Sequence, residues 1–375
     1  MEIRIKEIST NRELKQFVKF PDKLYSGNKY YVPALHRAEL NTLSKKNPAF
    51  EFCEAKYWLA FQNNKIVGRI AGIINHRYNK AHNKKYVRFG WLDFIEDENV
   101  LKELLLVVEK WGKMHNAELI HGPLGFSSFD ASGVLTEGFD EIPTSFSHYN
   151  YPYYSKLIEK IGYRKEIDWV EFNVKVPQTL PDNFVRLPDL LKKRFKLSSI
   201  KPKNKKELMS YSDEIFNLLN NEYKGLYAFT ELTPKQIENI KHEFIGFIKP
   251  EYVTVIVNSS KDLVAFGIAT PSLSKALQKA KGKLFPFGFL YVMNALKNND
   301  TVDTLLIAVK KEYQNKGVHS IIFNEFYKTF IKNGITNIET TRELEDNYNV
   351  NLLWKKFEYR QHKRARSYVK ELFKE

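Results

Sequence analysis

A single cysteine, Cys53, stands among the 375 residues. No disulfide can therefore close within the chain, no cysteine-built zinc site can form, and a reducing compartment suits it. Long apolar runs are missing as well. The longest, Leu284 to Met293, is interrupted by a proline and a glycine and falls well short of the roughly 20 residues that a bilayer-spanning helix needs. Residues 1–9, MEIRIKEIS, lack the apolar centre of a signal peptide. The expectation is a soluble, cytoplasmic protein that touches a membrane at most peripherally. Also absent are G-x-S-x-G, H-E-x-x-H, a Walker glycine–Lys–Ser/Thr run and any histidine cluster, so no metal is expected and the corresponding hydrolase chemistries have no support. Acidic residues are the scarcer charge, 44 against 59 Lys and Arg, for a formal net charge of +15. That excess asks for an acidic partner: a nucleic acid, an anionic membrane surface or a polyanionic small ligand.

What is present is enough for two cores, with 43% hydrophobic and 14% aromatic residues. The chain repeats itself at an offset of about 195 residues. Glu13-Leu14 corresponds to Glu207-Leu208, Tyr57–Phe61 to Tyr252–Ile256, Ile66–Gly68 to Leu263–Ala265, and Leu157–Arg164 to Leu353–Arg360. Each pair of apolar runs flanking a polar turn reads as a hairpin. Alternation of such strands with helical patterns predicts an α/β protein with a mixed sheet covered on both faces. The expected organisation is one unit over 1–180, a linker over 181–200 punctuated by Pro181 and Pro188 and rich in lysine, and a second unit over 201–375.

The most informative stretch is Val309–Ile321, VKKEYQNKGVHSI. An apolar strand-like run, Leu305–Val309, precedes it, and residues from Ser320 onward recur at helical spacing. At a strand–turn–helix junction the first N–H groups of the helix lack partners and favour an anion. Gly317 lets backbone approach that anion closely, and Lys316 adds charge. The first half has Phe89–Asn99 at the matching place, where Glu96, Asp97 and Glu98 would repel a phosphate.

The spacing Gln314-x-x-Gly317 resembles the pyrophosphate turn of the GNAT acyltransferase superfamily, with His319 where that family has Gly or Ala. Residues 346–359 are similar to the family's closing helix: Asn347 fits, Trp354 stands where a tyrosine often acts as general acid, and Glu358 replaces a glycine. Together with Tyr30–Pro33, Gly68–Ala71, Gly122-Pro123, Gly138–Asp140 and Tyr153-Tyr154, these motifs resemble a tandem-GNAT branch that includes bacterial ceramide-synthase-like proteins. The resemblance implies two tandem GNAT-like domains and an N-acyltransferase using acyl-CoA or acetyl-CoA as co-substrate, with an amine acceptor that could be a sphingoid lipid. It implies that Ala308, Val309, Gln314, Asn315, Lys316, Gly317, Val318, His319 and Asn347 hold the coenzyme.

Deprotonating a primary amine of pKa near ~10 requires a base. Glu343, beyond the strand Ile335–Thr340, and Asp303, at the start of the strand feeding the turn, are the candidates. The long connection after Ile120 places Asp140, Asn150, Tyr153 and Tyr154 as candidate substrate contacts. Lys275, Lys279, Lys281 and Lys283 ahead of Leu284–Met293 suit a headgroup–acyl boundary. Two other readings stay open: a transferase using aminoacyl-tRNA, for which the Q-x-x-G turn would have no role so that no nucleic acid is expected, and a GNAT-fold binding protein without activity. Oligomeric state is not legible.

Overall fold

The computed structural model describes residues 2–180, 182–244, 246–347, 354 and 357–372. The first half runs β1 (Arg4–Glu7), α1 (Asn11–Leu24), α2 (His36–Leu43), β2 (Cys53–Gln62), β3 (Lys65–Asn75), α3 (His76–His82), β4 (Tyr86–Phe94), α4 (Glu98–Met114), β5 (Leu119–Gly122), β6 (Val134–Glu137), α5 (Tyr153–Lys160) and β7 (Arg164–Lys175). After α6 (Asp182–Phe195) the second half follows the same plan. Its elements are β8 (Ser198–Ile200), α7 (Lys205–Ser210), α8 (Ser212–Tyr223), α9 (Pro234–Phe244), β9 (Val253–Val257), β10 (Leu263–Pro271), α10 (Ser274–Ala280), α11 (Gly288–Lys297), β11 (Thr301–Val309), α12 (His319–Lys332), β12 (Asn337–Thr340), β13 (Glu343–Leu344) and β14 (Tyr359–Glu371).

Local chemistry accounts for several of these boundaries. Thr10 and Glu13 close α1 with a reciprocal capping box. In α4 the buried residues Val100, Leu101, Leu104, Leu105, Val108 and Trp111 recur at three- and four-residue spacing and face the sheet. The two halves share a packing device: a Cβ on Gly68 of β3 would lie 2.7 Å from Leu104 Cδ1, and one on Gly267 of β10 would lie 2.3 Å from Ile322 Cγ2 of α12. Both glycines let the helix seat directly on the strand.

The strands join in one sheet, ordered β1-β2-β3-β4-β5-β14-β7-β12-β11-β10-β9-β8, with β6 on β14 and β13 on β7. The terminal strands are exchanged. β7 of the first half pairs with β12 and β13 of the second, and β14 of the second pairs with β5 and β6 of the first. β7 and β14 also pair with each other from Tyr359↔Val174 to Val369↔Arg164. Within the expected linker, Asp182–Phe195 fold as α6 and Ser198–Ile200 as β8. α6 packs on α12, with Lys192 Nζ 2.9 Å from Glu325 and Asn324 Nδ2 donating to Phe184 O at 2.6 Å.

Candidate active site

β11 and β12 run parallel from Thr301↔Asn337 to Thr304↔Thr340 and then part. On its other edge β11 pairs with β10, and the register shifts between Leu306 and Thr304, leaving Leu305 as a bulge that bends the strand where the gap opens. Past that point the gap-facing edge of β11 has no strand partner among the described residues. Its alternate carbonyls are met by side chains instead: Leu305 O accepts from Thr341 Oγ1 at 3.3 Å, Ile307 O from Tyr223 OH at 3.1 Å and Val309 O from Gln314 Nε2 at 2.9 Å. Ala308 is buried beneath.

The free edge leads into the turn. Asn315 (φ +58°) and Gly317 (φ +77°) take left-handed backbone, and α12 starts at His319. The N–H groups of Asn315, Lys316, Gly317 and Val318 donate to no acceptor among the described residues. Val318 is buried and anchors the turn to the core around Phe323 and Trp354, whereas Lys316 is exposed with Nζ 5.7 Å from the Phe195 ring centre. The His319 ring lies edge-on to Phe323 with centroids 6.5 Å apart. Glu222 of α8, which no motif singles out, reaches the near side of the turn: its carboxylate accepts from the Lys311 N–H at 3.1 Å and Gln314 Nε2 at 2.7 Å.

Of the two acidic candidates on this half, Asp303 is buried and Glu343 half-buried. Asp303 is fully inaccessible; its carboxylate meets no hydrogen bond of good geometry among the described residues, and a hydrogen-bonding contact from Ser272 only partly offsets its burial. Burial pushes its carboxyl up to about 7, with the nearby Glu339 carboxylate adding to the rise. It shares a sheet face with a charged cluster in which Lys363 Nζ lies 3.0 Å from Glu171 and 3.6 Å from Glu339, Arg342 Nε lies 3.3 Å from Glu171, and His362 Nε2 lies 2.9 Å from Glu339. Glu343 sits three residues beyond the parting point. Trp354 Nε1 donates to its carboxylate at 3.1 and 3.2 Å, and burial pushes that carboxyl up to about 8. The Trp354 indole thus holds the Glu343 carboxyl in place. Asn347 is half-buried and its N–H donates to Leu344 O at 3.0 Å. The remainder of the closing helix expected over 346–359 lies largely outside the described residues.

The four candidate substrate residues do not gather. Asp140 is exposed and lines a cavity of about 710 Å³. Asn150 is buried, its Oδ1 accepting from Leu135 N–H at 2.7 Å and its Nδ2 donating to the carbonyls of Leu135 and Tyr151, so it braces the loop. Tyr154 OH lies 2.7 Å from Tyr25 OH and accepts from the Phe94 N–H at 3.1 Å, while Tyr153 OH donates to Phe94 O. These two tyrosines fill the first half's counterpart of the gap. There Asp93 is paired with Arg69 at 2.7 Å, and Asp97 caps α4 by accepting from the N–H groups of Asn99 and Val100. The Asp97 carboxylate occupies the N–H groups of Asn99 and Val100 that an anion would otherwise meet at the helix start.

The cavity is the feature that sequence reading missed, because its walls come from both halves. Tyr30 and the segment Asp140–Thr144 face Ser272, Lys275, Lys279, Tyr291 and Asn294, and Thr301 and Glu339 reach it from β11 and β12. It approaches the strand pair from the end opposite the turn. Its lining reaches Thr301, two residues from Asp303.

No protein-family profile matches the chain. Among solved structures, a tandem GNAT protein from the clavulanic acid biosynthesis pathway aligns over 100% of both chains with a TM-score of 0.58 at 11% identity. The chain has a tandem GNAT fold. A glucosamine N-acetyltransferase region of a fungal β-N-acetylglucosaminidase superposes on 98% of this chain with a TM-score of 0.59 at 13% identity, spanning 38% of that larger protein. In sequence, the chain is similar to protein YghO of Escherichia coli, 28% identical over 98% of this chain and 95% of the relative. It is also similar to the bacterial ceramide synthase of Caulobacter vibrioides, 25% identical over 82% of this chain and 80% of that protein.

Proposed function

We infer that the protein is an N-acyltransferase taking its acyl group from acyl-CoA and passing it to a long-chain amine. The observation that carries this reading is the parting of β11 and β12 at Thr304/Thr340, whose free edge runs straight to a turn with four unengaged N–H groups. Acyl-CoA supplies the activated thioester. The N–H groups of residues 315–318 and the Lys316 ammonium suit its diphosphate, and the edge Leu305–Val309 suits the amides of its arm once the Tyr223 hydroxyl yields Ile307 O. The similarity to a ceramide synthase and the acidic groups Asp140, Glu141, Asp300 and Glu339 around the cavity support a lipid amine entering there.

In the proposed division of labour, Asp303 takes the proton that the ammonium loses, so that nitrogen can form its bond to the acyl carbon. Glu343, neutral at pH 7, gives a proton to the departing sulfur as the carbon–sulfur bond breaks. Two carboxyls raised by burial and held on opposite sides of the parting point match this base–acid assignment.

Acetyl- and palmitoyl-CoA should each be tested for a rise in melting temperature. A ligand at about 100 times its Kd stabilises by about 2.7 kcal/mol. Gly317→Asp should abolish the shift, because it brings a carboxylate into the turn and strains a φ of +77° beside Leu191, whose Cδ1 would lie 3.3 Å from the new Cβ. No shift with any acyl-CoA would remove the proposal. Glu222→Gln should act in the opposite direction. Deleting a negative charge next to a diphosphate should tighten acyl-CoA binding about fivefold at low ionic strength, a gain that shrinks as salt is added. Unchanged affinity at low salt would mean that the carboxylate moves aside in the complex.

A further inference from the structure

Of the apolar run Leu284–Met293, only Leu284, Gly288 and Val292 turn towards the core. Phe285 is 72% exposed, Phe287 67%, Met293 62% and Leu290 51%, with Tyr291 also on the surface. They occupy the tip between α10 and α11 and the outer side of α11. Such a cluster on a soluble chain marks a contact surface. Lys275, Lys279, Lys281, Lys283 and Lys297 flank it, all exposed and none in an ion pair with a described residue. The tip is held firmly from behind. Leu273, Leu277 and Val292 pack with Val32 and Leu35, the His36 N–H donates to Gly282 O at 3.0 Å, Gln278 Nε2 donates to the carbonyls of Lys29 and Tyr31, and Ser274 Oγ donates to Pro143 O at 2.8 Å. The same pair of helices forms one wall of the cavity through Lys275, Ala276, Lys279, Tyr291 and Asn294.

We propose that the α10–α11 tip docks on an anionic lipid bilayer, seating Phe285, Phe287, Leu290 and Met293 among the upper acyl carbons with the lysines at the headgroups, so that the cavity opens at the membrane surface. Aromatic and aliphatic side chains bordered by unpaired cations match both layers of such a surface. A second copy of the chain fits poorly, since a two-fold contact would bring like lysines together and protein interface centres are depleted in charge. The docking deepens the reading of a lipid amine as acceptor but stands on separate residues.

The test is co-sedimentation of the full chain with vesicles of phosphatidylglycerol and phosphatidylcholine against vesicles of phosphatidylcholine alone. Wild type should partition at least tenfold more strongly onto the anionic vesicles. The variant Phe285→Ser/Leu290→Ser/Met293→Ser and the variant Lys281→Glu/Lys283→Glu/Lys297→Glu should each lose that binding while keeping the wild-type melting temperature. Absence of wild-type binding, or undiminished binding by both variants, overturns the docking. A concentration-dependent doubling of mass that the serine variant abolishes would also overturn it, by assigning the face to a second copy. Both variants should retain the acyl-CoA thermal shift and wild-type rates on a short water-soluble amine. Failure of docking with that shift intact would leave the transferase reading standing, and loss of the shift in wild type with docking intact would sink only the latter.

Discussion

Asp303→Asn should lower acyl transfer by about 10²–10⁴-fold, the usual contribution of a positioned general base, while making the protein more stable at alkaline pH. The two effects share one cause. Asp303 has no exposure and only the weak Ser272 contact to offset it, and burial moves its carboxyl from 3.8 to about 7. A carboxyl with a raised folded-state pKa binds its proton more tightly folded than unfolded, so it costs stability as pH climbs from about 4 to about 7. Above that window the cost reaches up to ~4 kcal/mol. Asparagine cannot ionise, so the variant's gain in melting temperature should be largest near pH 8 and shrink as pH is lowered towards 4. Wild-type activity should rise with pH through about 7, following the fraction of carboxylate. Stability that rises with activity unchanged would make Asp303 a structural residue only, whereas a variant less stable at pH 8 would contradict the burial argument itself.

Lys363→Met should be the most destabilising single change considered. The ammonium is 1% exposed, lies 3.0 Å from Glu171 and 3.6 Å from Glu339, and donates to Ile142 O at 3.1 Å. Removing one partner of a buried pair leaves the other charge without compensation, at about 3–5 kcal/mol, or a fall in melting temperature on the order of 10 °C. Arg342 and Ser147 remain on Glu171, which places the expected loss at the lower end. Glu171→Gln combined with Lys363→Met should recover part of it, since the stranded carboxylate is then gone. A loss below ~1 kcal/mol, or a double variant no better than the single, would show that the pair is not what fastens β14 to β7.

Much of the candidate site is legible in the chain because it is built from neighbours in sequence. Gln314, Lys316 and Gly317 form a turn whose backbone needs only a strand before it and a helix after it, and the acidic counterpart in the first half shows directly as Asp97 capping α4. Asp303 and Glu343 were nameable as acids on or near the right strands, but nothing in their flanking residues reports their burial. Asn150, Tyr153 and Tyr154 look like groove residues in sequence because they are polar and lie on a long connection. In the fold, their hydrogen bonds are spent on Leu135 and Phe94. The run Leu284–Met293 could have been either a core helix or a surface tip, since hydropathy alone does not say which side of the sheet has room for it.

The sequence by itself determined the alternation of strands and helices, the duplication, and the strand–turn–helix joint at Gly317 in the second half, because each depends on contacts within a few residues or on repeated patterns. Only the tertiary structure decided that the last strands change places, that a cavity opens between the halves, and that Asp303 shares a sheet face with Glu171, Glu339 and Lys363. Those outcomes depend on groups far apart along the chain meeting in a medium from which water is excluded, and the energy of a charge there is set by its neighbours in space.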